Sequence, residues 1–327
     1  MINHNDIFGI KTNGDFERVA LEVFRFQSEQ CEPYKRYIEL LGINPLSVDT
    51  VGQIPFLPIQ FFKTQNVYSA DTTPEITFTS SGTSGMATSR HFVADVGVYE
   101  RSFTEEFCYF YGNPRQYAIL ALLPAYMERQ GSSLIYMVEH LIDLSNSPYS
   151  GFYLHNHQDL YNNLQDLQKN KIPVLLIGVS FALLDFVEQY QLEFPNLIVM
   201  ETGGMKGRRR ELPREELHAV LCRGFGVECI HSEYGMTELL SQAYSHGYGR
   251  FCTPPWMRII IRDAQNPLDR VGEGITGGIN IIDLANIFSC SFVETHDLGR
   301  LYADGSFDIQ GRLDESDVRG CNLLLIE

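Results

Sequence analysis

The feature that most constrains the fold of this chain is the alternation of short apolar runs with amphipathic stretches across its middle. The apolar runs are rich in leucine or β-branched residues and lie at 117–123, 173–177 and 196–200. Amphipathic stretches of helical length lie around or between them, at 132–142, 158–169, 181–190 and 211–224. Buried strands that alternate with helices of this length form βαβ units. The sequence therefore predicts an α/β fold with a mainly parallel sheet.

The two ends of the chain differ from this middle part. Residues 15–42 have apolar residues at helical spacing and predict two amphipathic helices. Residues 51–64 contain Pro55 and Pro58 and predict an extended segment, because proline disrupts a helix interior. Beyond Pro255, glycine and aspartate turns separate short strand-like runs. We therefore expect an N-terminal helical and extended segment packing on the core (1–70), an α/β core (71–254) and a small β-rich subdomain (255–327).

Charge and cysteine content limit the function classes. The 327 residues carry a formal net charge of −16, which argues against nonspecific nucleic-acid binding, because that affinity depends on lysine and arginine contacts to phosphates. The seven cysteines are scattered without Cys-x-x-Cys spacing, which indicates free thiols in a reducing compartment. The N-terminus lacks a signal-peptide pattern, and no apolar run approaches the ~18 residues that span a membrane. We expect a cytoplasmic protein and leave its oligomeric state open.

A Ser/Thr/Gly loop follows a strand predicted to begin at Glu75. It reads FTSSGTSG over residues 78–85, and a helix is predicted after it at 96–111. A loop of this kind turns backbone N–H groups inward and places hydroxyl groups beside an anion, and its small residues let the backbone approach phosphate closely. Composition alone favours a flexible surface loop. The phosphate-binding interpretation therefore depends on other parts of the chain.

Three polar segments support that interpretation. Residues 230–238, IHSEYGMTE, follow a short strand predicted at 227–230 and set an aromatic ring, a hydroxyl and a carboxylate within five residues. This combination suits base stacking and Mg²⁺ coordination by oxygen ligands. Residues 295–301, THDLGRL, contain an aspartate in a predicted turn, and residues 311–320 read GRLDESDVRG.

Together with the Ser/Thr/Gly loop, the order and spacing of these segments resemble the adenylate-forming (AMP-forming) enzyme superfamily of acyl-CoA synthetases, adenylation domains and luciferases. The resemblance covers residues 79–320. Within the superfamily, the segments SSGTSG, EYGMTE and GRLDESDVRGC look closest to LuxE-type acyl-protein synthetases, which are related to phenylacetate–CoA ligases. The resemblance implies the α/β fold of the large N-terminal part of such an enzyme, with βαβ subdomains and a small β-rich subdomain.

The resemblance also implies which residues bind the phosphates and the base of ATP. The residues that match the family's phosphate-embracing loop are Ser80, Ser81, Gly82, Thr83, Ser84 and Gly85. Gly203 and Gly204 match the glycine segment that lies along the adenine, and Tyr234 matches the ring that stacks on it.

The remaining implied roles concern the reacting phosphate, the metal and the ribose. Thr237 matches a hydroxyl near the α-phosphate, and Glu238 matches the Mg²⁺ ligand; both are candidate catalytic residues. Asp297 matches the carboxylate that holds the ribose hydroxyls, and Arg312 matches the arginine beside it.

The chain departs from the family pattern at two places. Arg90 stands where the family loop continues with a lysine. The sequence stops seven residues after Gly320, so the family's small C-terminal domain with its catalytic lysine is expected to be absent, and Asp314 falls at the hinge before it. LuxE-type proteins end close to this point, and the resemblance gives Cys321 the role of acyl acceptor, for which a thiolate is a good nucleophile. The alternative is a small apolar residue packing the last strand.

The resemblance implies an enzyme, a ligase that uses ATP and Mg²⁺ to activate a fatty or aryl acid as an acyl-adenylate. The acyl group would then pass to a thiol on Cys321, on a partner protein or on CoA. A non-catalytic member that binds nucleotide or acyl-adenylate is the first alternative, because the lysine domain is expected to be absent.

Other motifs give weaker alternatives. Ser180, in GVSFA after a predicted strand, lies near the nucleophile-elbow pattern of α/β-hydrolases, although an ordinary strand-to-helix turn is more common. The basic run Lys206–Arg210 is compatible with binding to a CoA phosphate or to an acidic partner protein. It is equally compatible with a solvent-exposed loop. Cys222, Cys229 and His231 fit no standard zinc spacing and are interpreted as structural.

Overall fold

The computed structural model describes residues 2–80, 88–124, 131–154, 156–203 and 212–313. Its helices are α1 (His4–Phe8), α2 (Asn13–Gln30), α3 (Glu32–Leu40), α4 (Phe61–Thr64), α5 (Val96–Tyr111), α6 (Ser133–Ser145), α7 (His157–Lys169), α8 (Ser180–Gln189) and α9 (Arg214–Phe225). Its strands are β1 (Leu57–Pro58), β2 (Ile76–Thr79), β3 (Arg90–Val93), β4 (Ala118–Leu122), β5 (Gly151–Phe152), β6 (Val174–Val179), β7 (Ile198–Thr202), β8 (His231–Tyr234), β9 (Ala243–Ser245), β10 (Phe251–Cys252), β11 (Met257–Arg262), β12 (Thr276–Asp283), β13 (Phe292–Leu301) and β14 (Phe307–Arg312). Within these ranges, no helix is long and apolar enough to cross a membrane.

The predicted alternation of strands and helices is present. The three apolar runs form β4, β6 and β7, and the four amphipathic stretches form α6, α7, α8 and α9. The two helices predicted over 15–42 are α2 and α3. The α/β fold class is therefore confirmed.

The described residues form two compact units, one with the residues up to Thr73 and from Pro255 onward, the other with Pro74–Pro254. The Pro74–Pro254 unit contains a sheet of order β10-β9-β8-β7-β6-β4-β5. Its strands from β5 to β8 are parallel, and β9 and β10 are antiparallel to their neighbours. Every residue of β4 and β6 is buried, as expected for strands covered on both faces.

Strands β2 and β3 form a separate antiparallel hairpin in the same unit. The Ser/Thr/Gly loop connects the two strands, and Thr79 pairs with Arg90 at its base. Residues 81–87 of this loop lie outside the described residues.

The other unit is built on the antiparallel strands β11-β12-β13-β14. The extended segment predicted around Pro55 and Pro58 contains β1, which pairs in parallel with β13. Helix α2 is fastened to the turn after β12, because the buried amide of Gln27 donates to the carbonyls of Asn286 (2.9 Å) and Ile287 (3.0 Å).

One predicted strand is wrong. Residues 227–230 are not a strand; the strand β8 is the polar segment His231–Tyr234 that follows them. This polar segment can be a central strand because Ser232 and Glu233 point into the protein and form hydrogen bonds there, to Glu201 and Thr202. Periodicity of apolar residues cannot detect a strand of this kind.

Candidate active site

The carboxyl end of β8 carries three of the residues singled out in the sequence. Tyr234 is the last residue of the strand, and its half-buried ring makes an edge-to-face contact with Phe251 (centroids 6.1 Å apart). Thr237 is half-buried, and Glu238 is 6% exposed, in the segment that follows. Ligands of open α/β sheets bind outside the carboxyl ends of the strands. The three side chains therefore lie in the region where the fold binds ligands.

The register of the sheet brings a second segment to the same edge. Val179 of β6 pairs with Thr202 of β7, and Thr202 pairs with Glu233 of β8. Gly203 and Tyr234, which follow the paired residues Thr202 and Glu233, therefore lie at the same edge of the sheet. Gly203 has a left-handed backbone (φ 62°), which glycine adopts without steric cost. Gly204 lies outside the described residues.

The hairpin that carries the Ser/Thr/Gly loop contacts the segment after β8. Nδ1 of His91, on β3, lies 2.7 Å from the backbone carbonyl oxygen of Thr237. Burial lowers the pKa of His91 to about 4, so the imidazole is neutral near pH 7. A carbonyl can only accept, so Nδ1 carries the hydrogen. No pattern in the sequence indicates this positioning residue, which lies 146 positions from Thr237.

Ser80 closes the base of the same loop. Its backbone N–H donates to the carbonyl of Ser89 (3.1 Å), and its hydroxyl oxygen accepts from the backbone N–H of Ser89 (2.9 Å). The backbone N–H of Thr79 donates to the carbonyl of Gly131 (2.8 Å). The predicted phosphate-binding residues Ser81, Gly82, Thr83, Ser84 and Gly85 lie outside the described residues.

A buried carboxyl group lies directly below the turn after Tyr234. A Cβ atom at Gly235 would lie 2.4 Å from Oε1 of Glu233, so a larger residue there would displace the Glu233 carboxyl group. The hydroxyl of Thr202 donates to the other carboxyl oxygen, Oε2. Burial, with a smaller contribution from the neighbouring Glu201 and against the Thr202 hydrogen bond, raises the pKa of Glu233 to about 7. Sequence reasoning missed Glu233, although it stands inside the singled-out segment.

Asp297 lies within strand β13 and not in the predicted turn, and it pairs with Arg312 of β14 in the other unit. Nε of Arg312 lies 3.3 Å from Oδ1 of Asp297, and the Arg312 side chain is 73% exposed against 14% for Asp297. Solvent screening makes such a contact weak. The backbone N–H of Asp297 donates to Oγ1 of Thr295 (3.1 Å), and the buried Arg262 donates to the carbonyl of Thr295 (2.6 Å). Arg262, which the sequence did not indicate, therefore supports the strand that presents Asp297.

Glu238 was the predicted metal ligand. The described residues contain no group of three or more His, Cys, Asp or Glu side chains that could hold a metal ion. Mg²⁺ in nucleotide sites is held through one or two carboxylates, with substrate phosphates and water completing its shell. One buried carboxylate at the end of β8 therefore fits a magnesium ion that arrives with a nucleotide.

Ser180 does not have the surroundings of a hydrolase nucleophile. It is 2% exposed, and its hydroxyl bonds to the Glu201 carboxylate and the Gly203 carbonyl. An activated serine needs a base, usually histidine, that accepts its proton. No histidine contacts Ser180 within the described ranges, so the geometry does not support the hydrolase alternative.

Cys222 and Cys229 take no part in this edge of the sheet. The thiols of Cys222 and Cys229 contact the carbonyls of Glu228 (3.6 Å) and His246 (3.2 Å). Burial raises the pKa of both thiols, which disfavours the thiolate needed for metal binding. Cys321 and the basic run Lys206–Arg210 lie outside the described residues.

Replacing His91 with alanine is expected to lower the maximal rate of ATP-dependent turnover about tenfold, because Thr237 loses a buried hydrogen bond worth roughly 1–3 kcal/mol. The matched control is Ser102→Ala, which removes another buried contact in the same unit, with Ser241 (3.0 Å). Both variants should lower the melting temperature, and only His91→Ala should lower the rate at saturating ATP. Equal rates in the two variants would argue against a positioning role for His91.

A known protein family matches nearly the whole sequence. The family model described as acyl-protein synthetase, LuxE, matches residues 12–327. No curated protein sequence is significantly similar to the chain.

Solved structures match at the level of the fold. A 2-hydroxyisobutyryl-CoA ligase in complex with 2-HIB-AMP and CoA matches with a TM-score of 0.68 and 12% identity, over 93% of this chain and 70% of that one. ATP-bound MatB from Rhodopseudomonas palustris matches with a TM-score of 0.53 and 16% identity, over 72% of this chain. A luciferase-like enzyme of the mealworm Zophobas morio gives 0.51 and 17%, over 75% of this chain. The matched part spans 47% of MatB and 59% of the luciferase-like enzyme.

The fold is therefore that of adenylate-forming enzymes, and the family model extends over nearly the whole sequence. The chain belongs to the LuxE acyl-protein synthetase family and is an adenylate-forming ligase.

Proposed function

We propose that this ligase activates a fatty or aryl acid with MgATP as an acyl-adenylate and passes the acyl group to a thiol. The observation that carries the proposal is the hydrogen bond from His91 to the carbonyl of Thr237. It connects the strand that leaves the Ser/Thr/Gly loop to the segment that bears Thr237 and Glu238. A phosphate-binding loop and a metal-binding carboxylate have to act on the same nucleotide, and this contact supports that arrangement.

The proposed roles in nucleotide binding follow the order of groups in ATP. Tyr234 stacks on the adenine, and Gly203 and Gly204 lie along it. Asp297 holds the ribose hydroxyls with Arg312 beside it. The residues proposed to embrace the phosphates are Ser80, Ser81, Gly82, Thr83, Ser84 and Gly85.

Charge at the phosphates is the main obstacle in this reaction for a protein of net charge −16. A bound Mg²⁺ would neutralise part of the phosphate charge, and Glu238 is the proposed ligand. Thr237 donates a hydrogen bond near the α-phosphate. Backbone N–H groups of the loop favour the charge that develops as pyrophosphate leaves.

The acyl acceptor is proposed to be Cys321, a partner protein or CoA. The described cysteines are all free thiols, which supports a reducing, cytoplasmic compartment. Burial raises the pKa of Cys31 to about 11 and that of Cys290 well above its ordinary value. Such thiols are poor nucleophiles, so these two are unsuited to accept an acyl group. Mass spectrometry after incubation with ATP and acid should locate the acyl group, with Cys321→Ser as the matched control.

The test of the adenylation step is ATP–pyrophosphate exchange with Mg²⁺ across a panel of fatty and aromatic acids. Exchange that depends on one class of acid supports the proposal and identifies the substrate class. Nucleotide binding without exchange for any acid would contradict a catalytic role and favour a member that only binds nucleotide.

Replacing Asp297 with alanine should raise the KM for ATP by about 10- to 100-fold, because each hydrogen bond to a charged group contributes roughly 1.5–3 kcal/mol. The variant should also lose discrimination between ATP and 2′,3′-dideoxy-ATP. Asp308→Ala is the matched control, because Asp308 on β14 accepts a hydrogen bond from Tyr302 (2.7 Å) and has no proposed role in nucleotide binding, and we expect less than a threefold change. Retained discrimination in Asp297→Ala would exclude Asp297 as the ribose ligand.

A further inference from the structure

A network of buried polar side chains lies beside Gly203, and the proposed adenylation chemistry assigns it no role. Its centre is the carboxyl group of Glu201 on β7. Oε1 accepts a hydrogen bond from the hydroxyl of Ser232 on β8 (2.9 Å), and Oε2 accepts one from the hydroxyl of Ser180 (3.1 Å). Nε2 of His218, on α9, lies 3.5 Å from Oε1. The network therefore joins the adjacent parallel strands β7 and β8 to the helices α8 and α9.

A carboxyl group inside a protein is costly unless hydrogen bonds replace its water. Glu201 has such bonds from Ser232 of β8 and from Ser180, the residue that follows β6, so each carboxyl oxygen has a fixed partner. Buried networks whose members are satisfied make their surroundings rigid. The residues that follow these strands, Gly203 and Tyr234, therefore extend from a rigid base.

Ser180 connects this base to the glycine segment. It is the first residue of α8, one position after the N-cap residue Val179, and no side chain caps this helix end. The hydroxyl lies within hydrogen-bond distance of Oε2 of Glu201 (3.1 Å) and of the carbonyl oxygen of Gly203 (2.8 Å), and it shares its single hydrogen between these two acceptors. That carbonyl belongs to the peptide group that joins Gly203 to Gly204. Glycine has no side chain that could fix the orientation of this peptide, so the Ser180 hydroxyl supplies the constraint.

We propose that Ser180, oriented by Glu201, is a positioning residue that sets the orientation of the Gly203 peptide and thereby the affinity and base selectivity of the enzyme for ATP. The inference rests on the proposed function, in which this glycine segment lies along the adenine. It also gives a role to the GVSFA motif, in which Ser180 positions the Gly203 peptide and is not a nucleophile. Ser180 touches neither the phosphates nor the acid, so its effect is on nucleotide binding and not on the chemical step.

The chain offers a matched pair of variants. Ser180→Ala and Ser232→Ala each remove one hydroxyl from Glu201, and both serines are almost fully buried, at 2% and 1% exposed. Only Ser180 also contacts Gly203. The measurement is the Kd of the full chain for ATP and for GTP, together with the rate of exchange at saturating ATP and the melting temperature. Ser180→Ala should weaken ATP binding about tenfold, the loss expected for one buried hydrogen bond.

The expected pattern separates positioning from a general structural role. Ser180→Ala should leave the Kd for GTP and the saturated exchange rate within twofold of wild type. The preference for ATP, which is the Kd for GTP divided by the Kd for ATP, should therefore fall. Ser232→Ala should lower the melting temperature about as much as Ser180→Ala does and should keep the wild-type ratio of the two Kd values. Glu201→Gln, which leaves one carbonyl oxygen to accept from two hydroxyls, should have an intermediate ratio and provides the same readout if Ser180→Ala does not fold.

Two results would overturn the inference: an unchanged ATP-to-GTP ratio in both Ser180→Ala and Glu201→Gln, or an equal loss of the ratio in Ser232→Ala. Both are distinct from a failure of the proposed function. If the proposed function is wrong, the wild-type chain itself will bind no ATP and catalyse no exchange, and this result would refute the inference together with the proposed function.

Discussion

Glu238→Gln is expected to lower the rate of ATP–pyrophosphate exchange about 100-fold or more at saturating ATP and acid. Glutamine keeps the size of the side chain and removes its charge, which is what a magnesium ligand at this position supplies. Loss of a group that stabilises charge in the transition state typically costs roughly 3–4 kcal/mol. The side chain is buried, and a neutral amide is less costly to bury than a carboxylate. The melting temperature of the variant should therefore not fall.

The measurement is the exchange rate as a function of Mg²⁺ concentration, with Glu233→Gln as the matched control. Glu233 lies five positions earlier, is also a buried glutamate, and has its carboxyl oxygens against Thr202 and Gly235. Its pKa of about 7 means that it is mostly neutral at pH 6, where glutamine imitates it. Exchange by Glu233→Gln at pH 6 should stay within threefold of wild type. Wild-type exchange by Glu238→Gln would remove Glu238 from the reaction.

The α/β frame could be predicted from the sequence because its central strands are buried on both faces. The runs that became β4, β6 and β7 are apolar without interruption, and a parallel sheet covered by helices requires this pattern. The helices were equally clear, since α2 and α5 bury one apolar face. Local sequence was sufficient for these elements because the faces they bury require apolar residues at regular spacing within the element itself.

Strand β8 and its surroundings could not be predicted in the same way. Ser232 and Glu233 are buried polar residues whose partners, Glu201 and Thr202, lie 31 positions away in the sequence. The His91–Thr237 contact spans 146 positions. Which polar groups satisfy one another inside a fold depends on the packing of distant segments. The segments of the candidate site could therefore be named from the sequence, while the residues that position them became visible only in three dimensions.

The buried carboxyl group of Glu233 should make the stability of the protein depend on pH. Burial raises its pKa from the ordinary 4.5 to about 7. Between these values the folded protein holds a proton that the unfolded chain has lost, so the contribution of Glu233 to stability falls as the pH rises through this window. The difference between the two pKa values corresponds to about 3 kcal/mol. Glu233→Gln cannot ionise and should escape this loss.

We therefore expect Glu233→Gln to gain about 3 kcal/mol in free energy of unfolding relative to wild type between pH 4 and pH 8. Urea unfolding at both pH values gives the measurement. His91 and His231, whose pKa values burial lowers to about 4, act in the opposite direction over part of this window. They are present in both proteins and cancel in the difference. Tyr99 and Tyr244 also face Glu233, and burial raises their pKa well above 10, so they stay neutral throughout. A constant difference between variant and wild type would mean that Glu233 is ionised inside the folded protein at acidic pH.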